Sequence, residues 1–166
     1  MKRIVYLLPA LILFSCASNP EEPKGPVYNL NGVALAGYDP VAYFEQGEPK
    51  VGMEDEVVTY EGLKYYFSNT KNRLLFQENP TKYLPAYGGW CAYAVAETSG
   101  KMEPDPTMWQ IQDGKLQLFY DDWMTSLTGS LKEEWNTDPK SYKVKADSNW
   151  EKMNQYDGYL NVIFLL

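Results

Sequence analysis

The chain is 166 residues long, carries a formal net charge of −7 and contains no histidine, while 45% of its residues are hydrophobic and 15% aromatic. This composition is typical of a packed globular domain, and its acidity without a basic cluster argues against nucleic acid or anionic lipid head groups as partners. The lack of histidine removes the commonest zinc and copper ligand and every Ser-His or Cys-His nucleophile pair.

The N-terminal residues have the pattern of an export signal followed by a polar segment. Two basic residues precede an apolar run over residues 4–14, which is about half the roughly 20 residues that a transmembrane helix needs. A basic start, a short apolar stretch and small residues at a cleavage site are the parts of a secretory signal. We therefore predict a signal peptide over residues 1–15, a lipidated flexible tether rich in Pro and Glu over 16–26, and one domain over 27–166.

Cys16 lies where this signal would be cut. The sequence Leu13-Phe14-Ser15-Cys16 resembles the lipobox of bacterial lipoproteins, in which a small residue precedes a cysteine that becomes lipidated. The resemblance implies several acyl chains such as palmitate on Cys16, and two or more chains hold a protein stably at a membrane. It places the protein in the cell envelope, at the outer membrane rather than the inner, with its domain in the periplasm or at the cell surface. The alternative is an ordinary signal peptide that contains a cysteine.

A lipidated Cys16 has two consequences for the mature chain. Loss of the two basic residues of the signal leaves 13 basic and 22 acidic residues, so the net charge becomes −9. The chain has two cysteines, so Cys91 is left without a partner, and a structural disulfide within the chain is excluded despite export to an oxidising compartment.

The first part of the domain is predicted to contain a β-hairpin. Residues 27–36 fit a short strand or a helical turn, and residues 37–49 fit two turns on either side of a short apolar segment. β-Branched and aromatic residues at 57–60 and 63–67 flank the pair Glu61-Gly62, and this pattern predicts two strands joined by a tight turn.

Short helices are predicted after this hairpin. Ser68 and Asn69 are favoured N-cap types for a helix over residues 72–77, which ends before a second short helix at 81–83. Residues 86–96 are small and aromatic with almost no charge, and they fit either a buried helix or a tight loop followed by one.

The last part of the domain is predicted to contain a second hairpin and further helices. The pair Asp113-Gly114 between alternating segments is a strong hairpin signal. Residues 121–135 are predicted to be helical, as are residues 139–150, and residues 160–166 fit a last strand or a tail packed on the core. Spacings of four support the first of these helices at Trp123, Leu127, Leu131 and Trp135. The predicted fold is α+β, a small antiparallel sheet of hairpins with several short helices packed on it.

Several short motifs follow one another in a definite order between residues 33 and 150. They are Gly37-Tyr38-Asp39-Pro40-Val41-Ala42-Tyr43-Phe44, Tyr60-Glu61-Gly62, Tyr65-Tyr66-Phe67-Ser68, Asn72-Arg73, Tyr87-Gly88-Gly89-Trp90-Cys91-Ala92, Asp113-Gly114-Lys115-Leu116 and Ala146-Asp147-Ser148-Asn149-Trp150. In order and spacing they resemble YHS-domain proteins, and in particular the exported single-domain branch of that family.

The resemblance also bears on metal binding. Many YHS domains are regarded as metal-binding, with cysteines as the candidate ligands, and the positions of those cysteines hold Ala42, Ser68 and Asn72 in this chain. Soft metals need thiolate or thioether ligands. The resemblance therefore does not bring the family's metal site to this chain, and we predict neither metal transport nor a metal ligand; the cofactor stays unknown.

Cys91 allows three interpretations. It can be a buried, inert side chain that packs as a small hydrophobe. It can be a redox-active or ligand-binding thiol, because a helix N-terminus just after Gly88-Gly89 would lower its pKa. It can also be a Cu(I) or haem ligand assisted by nearby methionine and tyrosine side chains, although no spacing rule selects them. Those side chains are Met102, Met108, Tyr87 and Tyr93.

The many tyrosines suggest a ligand pocket, because a phenol combines an apolar body with a polar tip. A core with aromatic packing is the alternative. Asp39, which precedes Pro40, can be a general acid or base or a side chain that stabilises the turn through backbone amides. No catalytic residue is assigned. The candidate ligand-binding residues are Cys91, Trp90, Tyr87, Tyr93, Tyr43 and Asp39.

The sequence thus predicts a membrane-anchored envelope lipoprotein whose YHS-like domain is a non-enzymatic module that binds a small ligand or an envelope partner protein. One alternative is an envelope protein that handles metal, such as copper, or haem. Another is a thiol-dependent enzyme that uses Cys91. The oligomeric state is left open.

Overall fold

The computed structural model of the chain describes residues 26–122, 125 and 129–163, with side chains up to residue 154. The predicted signal peptide, Cys16 and nearly all of the tether lie outside the described residues, as do Trp123 and Leu127 of the predicted helix over 121–135. Within this part of the chain, no helix is long and apolar enough to cross a membrane.

In the described residues, six strands form a four-stranded sheet and a separate hairpin. The strands are β1 (Asn29–Leu30), β2 (Val33–Ala34), β3 (Met53–Tyr60), β4 (Leu63–Phe67), β5 (Asp105–Gln112) and β6 (Lys115–Phe119). The sheet has the order β1-β2-β4-β3, and β5 pairs with β6. Three neighbouring pairs are antiparallel hairpins, whereas β2 runs parallel to β4, with Val33 opposite Lys64.

Six α-helices pack on these strands in the described residues. They are α1 (Ala42–Glu45), α2 (Thr70–Glu78), α3 (Pro80–Tyr83), α4 (Ala92–Thr98), α5 (Leu131–Trp135) and α6 (Pro139–Ile163). The predicted α+β fold of hairpins with short helices is confirmed. The sheet is mixed rather than purely antiparallel, because the first hairpin lies beside the second through one parallel pair.

Each hairpin turn consists of two residues with positive φ. The φ values are +53° and +80° at Asn31-Gly32, +49° and +81° at Glu61-Gly62, and +52° and +73° at Asp113-Gly114. Such turns match the right-handed twist of the strands they join. The two predicted hairpins are confirmed, and the segment left open between a strand and a helical turn forms a third around Asn31-Gly32.

The helix boundaries confirm one predicted cap and correct two predicted elements. Asn69 caps α2 by accepting a hydrogen bond from the Asn72 amide. A continuous helix over 121–135 is wrong, because Ser130 has extended backbone and its side chain forms a capping box with Glu133 that begins α5. The predicted last strand at 160–166 is also wrong as far as Ile163, since α6 continues to that residue. The alternative there, a tail packed on the core, falls on side chains outside the described ones.

Two clusters of buried side chains make up the core. The sheet core contains Ala34, Leu35, Val41, Tyr43, Tyr65, Phe67, Phe76, Tyr83, Leu116 and Leu118. The helical core contains Tyr28, Tyr87, Trp90, Ala92, Val95, Ala96, Phe119, Trp135 and Ala146. Strand β6 contributes to both clusters, so it joins the sheet to the helices α4, α5 and α6.

Candidate functional site

The six candidate ligand-binding residues fall into two groups instead of forming one site. Asp39 and Tyr43 are buried at the sheet core, whereas Tyr87 and Trp90 belong to the helical core and Tyr93 packs against it. Cys91 lies between the two, in a bridge to Leu118 of β6. Most of these side chains take part in aromatic packing of the core, which was the alternative to a ligand pocket.

Asp39 is fully buried and accepts five hydrogen bonds. Its Oδ1 accepts from the amides of Val41 and Ala42 at 2.8 and 3.2 Å. Its Oδ2 accepts from the amide and the hydroxyl of Ser68 at 2.8 and 2.7 Å, and from Asn72 Nδ2 at 2.6 Å. The carboxylate therefore stabilises its own turn and ties that turn to the end of β4 and the first turn of α2.

The three positions where the YHS resemblance implies cysteines come together at this carboxylate. Ala42 of α1, Ser68 just after β4 and Asn72 of α2 each donate a hydrogen bond to Asp39. The Asn72 amide group also exchanges hydrogen bonds with Gln46 at 3.1 and 3.2 Å. N–H and O–H donors converge on the carboxylate here, and none of the three positions offers the thiolate or thioether that a soft metal ion needs.

A left-handed turn explains the glycines that precede Trp90 and Cys91. Tyr87, Gly88 and Gly89 have φ values of +52°, +60° and +85°, which glycine adopts at little cost. A Cβ at Gly88 would collide with the carbonyl oxygen of Pro26, and one at Gly89 would lie 2.6 Å from Leu35 Cδ2. The motif is therefore required by backbone conformation and close packing.

A second left-handed turn, Leu35–Gly37, packs against the first. Leu35, Ala36 and Gly37 have φ values of +54°, +52° and +84°. Tyr28 connects the two turns, because its amide donates to Gly88 O at 2.9 Å and its carbonyl accepts from the Leu35 amide at 3.0 Å. Consecutive left-handed residues are costly for side chains other than glycine, so the surrounding packing must hold this pair in place.

The candidate tyrosines are engaged within the protein, two through their hydroxyl groups and one through its ring. The Tyr43 hydroxyl donates to Pro106 O and the Tyr87 hydroxyl to Asp147 Oδ1, each at 2.9 Å. Burial, followed by the interaction with Asp147, raises the pKa of the Tyr87 phenol. The Tyr93 ring packs against Tyr142, with 5.4 Å between their centroids. These three side chains therefore act as structural links between elements.

Trp90 differs from the tyrosines, because its polar atom has no partner. The side chain is 2% exposed and meets the Tyr28 ring edge-to-face at 5.3 Å. Among the described residues, its Nε1 is a buried side-chain donor without a hydrogen-bond acceptor. Leaving such a donor unsatisfied costs about 1–3 kcal/mol, and folded proteins do so rarely.

Cys91 is fully buried, and its thiol is held in the neutral form. As the sequence predicted, it lies at the N-terminus of a helix, α4, whose Ala94 and Tyr93 amides favour the thiolate. Burial has the larger effect, so the pKa of the thiol is raised. Burial and a raised pKa both lower the amount of accessible thiolate, the form that acts as a nucleophile or a soft-metal ligand. The described residues also contain no group of three or more Cys, Asp or Glu side chains that could hold a metal ion.

We expect the Cys91 thiol of the folded full-length protein to resist iodoacetamide at pH 8 and to react once urea unfolds the chain. The reason is that both burial and a raised pKa keep the reactive thiolate from the reagent. Intact mass spectrometry at timed intervals measures the reaction. In a Ser148→Cys variant, which places a thiol on the exposed side of α6, the new thiol should react in the folded state. Equal rates for both thiols would contradict burial of Cys91.

An apolar groove lies on the outer face of the sheet. This outer groove has a volume of about 350 Å³ and is bounded by Leu30, Val33, Val51, Gly52, Glu54 and Tyr66. Leu30 and Val51 are 38% and 66% exposed. These residues are not among the candidates that the sequence predicted. The signal in the sequence was the apolar Val51 close to the acidic run at residues 54–56.

Comparisons of the chain with known protein families, with curated proteins and with solved structures find no match.

Proposed function

We propose that this chain is a lipid-anchored envelope lipoprotein whose YHS-like domain is a non-enzymatic module that binds a partner protein. The anchor rests on the lipobox-like sequence around Cys16. The binding role rests on one contrast within the domain. Asp39 and Cys91, the side chains suited to chemistry, are fully buried and engaged in packing or hydrogen bonds, whereas the outer groove leaves apolar side chains in solvent.

The anchor is tested by metabolic labelling with a radioactive or alkynyl fatty acid in bacteria that express the full-length chain. We expect the wild type and a Cys91→Ala variant to carry label in the membrane fraction, and a Cys16→Ala variant to carry none. The Cys91→Ala variant is the matched control, because it also removes one of the two cysteines. Label retained by Cys16→Ala would contradict the lipoprotein proposal.

The binding role is tested on the lipidated chain after mild detergent extraction from cells treated with a chemical cross-linker. Mass spectrometry should detect the chain joined to a partner protein in a fixed ratio. If the chain is recovered from cross-linked cells only as the bare lipidated protein, the binding proposal is wrong.

A small-molecule ligand is the second candidate, and the orphaned indole N–H of Trp90 favours it. An acceptor atom on a bound molecule would satisfy this donor inside the helical core. Native mass spectrometry of the protein purified from cells would then show an added small mass that is lost on unfolding. Absence of such a mass, together with unchanged stability of Trp90→Phe, would dismiss this candidate.

A further inference from the structure

Backbone contacts hold the walls of the outer groove together. The groove extends from Leu30 of β1 and Val33 of β2, past Tyr66 of β4, to Val51, which lies two residues before β3. A hydrogen bond from the Gly52 amide to Gly37 O, at 2.8 Å, joins the segment that carries Val51 to the turn at Gly37.

Small residues shape the bottom of the groove. A Cβ at Gly52 would lie 2.5 Å from the Tyr66 backbone, so only glycine allows this approach. The neighbouring wall is the left-handed turn Leu35–Gly37, whose strained conformation is maintained by the buried Leu35. A preformed groove binds an extended segment without the entropic cost of ordering its own backbone.

Charge distinguishes among the possible occupants of this groove. Glu54 lies at its rim, is exposed, and has no ion-pair partner in the part of the chain that the structure describes. Glu56 nearby is already paired with Arg73 at 2.7 Å. An apolar segment that covers the groove would remove water from the Glu54 carboxylate, a cost that a cation on the partner would offset.

The negative net charge of the chain disfavours two other occupants of the groove. A second copy of this chain would bring together two acidic molecules, each with a mature net charge of −9 when the predicted signal is removed. An anionic lipid surface would be repelled for the same reason. The basic residue Lys64, which lies opposite Val33 on β4, does not line the groove.

We propose that the outer groove binds an extended segment of a partner protein that presents apolar side chains together with a lysine or arginine that pairs with Glu54. This inference rests on the proposed function, and it adds the binding surface and the chemistry of the partner.

The test uses a photo-reactive phenylalanine analogue placed at Val51 in the full lipidated chain, in its own cells. The same analogue at Val144 on α6 is the matched control, because the two valines are 66% and 70% exposed. We expect a single protein adduct at position 51 and none at position 144. The cross-linked peptide should contain apolar residues and a lysine or arginine.

Charge variants complete the test. Glu54→Lys should reduce the adduct at position 51 at least about tenfold, the effect of losing roughly 1.4 kcal/mol of binding free energy. Glu151→Lys, which changes the net charge by the same amount on exposed α6, should leave the adduct unchanged. Far-UV circular dichroism and urea unfolding verify that both variants fold.

Several results would overturn the groove proposal. One is an adduct whose yield does not change in Glu54→Lys, and another is a cross-linked segment without a basic residue. An adduct with phospholipid or with a second copy of the chain would also contradict the proposal, as would the absence of any adduct at position 51. If a partner is nevertheless joined to the chain by the general cross-linker, or is captured at position 144, partner binding stands and only the groove assignment is wrong.

Discussion

Replacing Asp39 by alanine should lower the free energy of unfolding by about 4 kcal/mol or more, which is at the upper end for a single substitution. The carboxylate accepts five hydrogen bonds in a fully buried position. Its removal leaves the donors of Ser68 and Asn72 without their charged acceptor. Urea unfolding of the detergent-solubilised full-length protein, followed by tryptophan fluorescence, measures the change.

A second variant at this position separates hydrogen bonding from packing, and a third variant, elsewhere on the chain, serves as the control. Asp39→Asn keeps the volume but turns an acceptor into an NH2 donor that faces other donors, so we expect a loss of about 2–3 kcal/mol. Glu78→Ala removes an exposed carboxylate at the end of α2 and should change stability by no more than about 0.5 kcal/mol. A folded Asp39→Ala protein with the stability of the Glu78→Ala variant would refute the structural role given to this cluster.

Replacing Gly88 by alanine should be the second most damaging change, with a loss of about 3 kcal/mol. Part of that cost comes from the positive φ of +60°, and the larger part comes from collision of the new Cβ with the carbonyl oxygen of Pro26. Moving Pro26 away would also strain the hydrogen bond from the Tyr28 amide to Gly88 O. The same urea unfolding measurement reports this loss.

Gly114→Ala is the matched control for this prediction. Gly114 has a φ of +73°, and a Cβ there would meet nothing within 4 Å. Its replacement should therefore cost only the backbone contribution, about 1 kcal/mol. If Gly88→Ala and Gly114→Ala lose the same stability, close packing does not explain the glycine at position 88.

The local elements of this fold could be predicted from the sequence because neighbouring residues determine them. Glu61-Gly62 and Asp113-Gly114 adopt the positive φ values that a two-residue hairpin turn requires. Asn69 caps the helix that follows it. The failure at 121–135 has a local cause as well, since the capping pair Ser130 and Glu133 begins a new helix inside a sequence with helical spacing.

Long-range relations decided what the sequence left open. The parallel pairing of β2 with β4 depends on how two hairpins dock, and no local pattern encodes it. The contact between Asp39 and Asn72 joins residues 33 positions apart. The outer groove exists only because Gly37 and Gly52 bring distant segments against Tyr66.

The two cysteines show the same division. For Cys16 the inference rests on the sequence alone, since an export signal and the residues before a lipidated cysteine are read as a linear pattern, and that anchor stays a prediction. For Cys91 the sequence left open a buried inert side chain, a reactive thiol at a helix N-terminus and a metal or haem ligand. The structure has both the burial and a helix N-terminus, at α4. Only the tertiary structure shows that burial has the larger effect and keeps the thiol neutral, because desolvation depends on which distant residues cover the side chain.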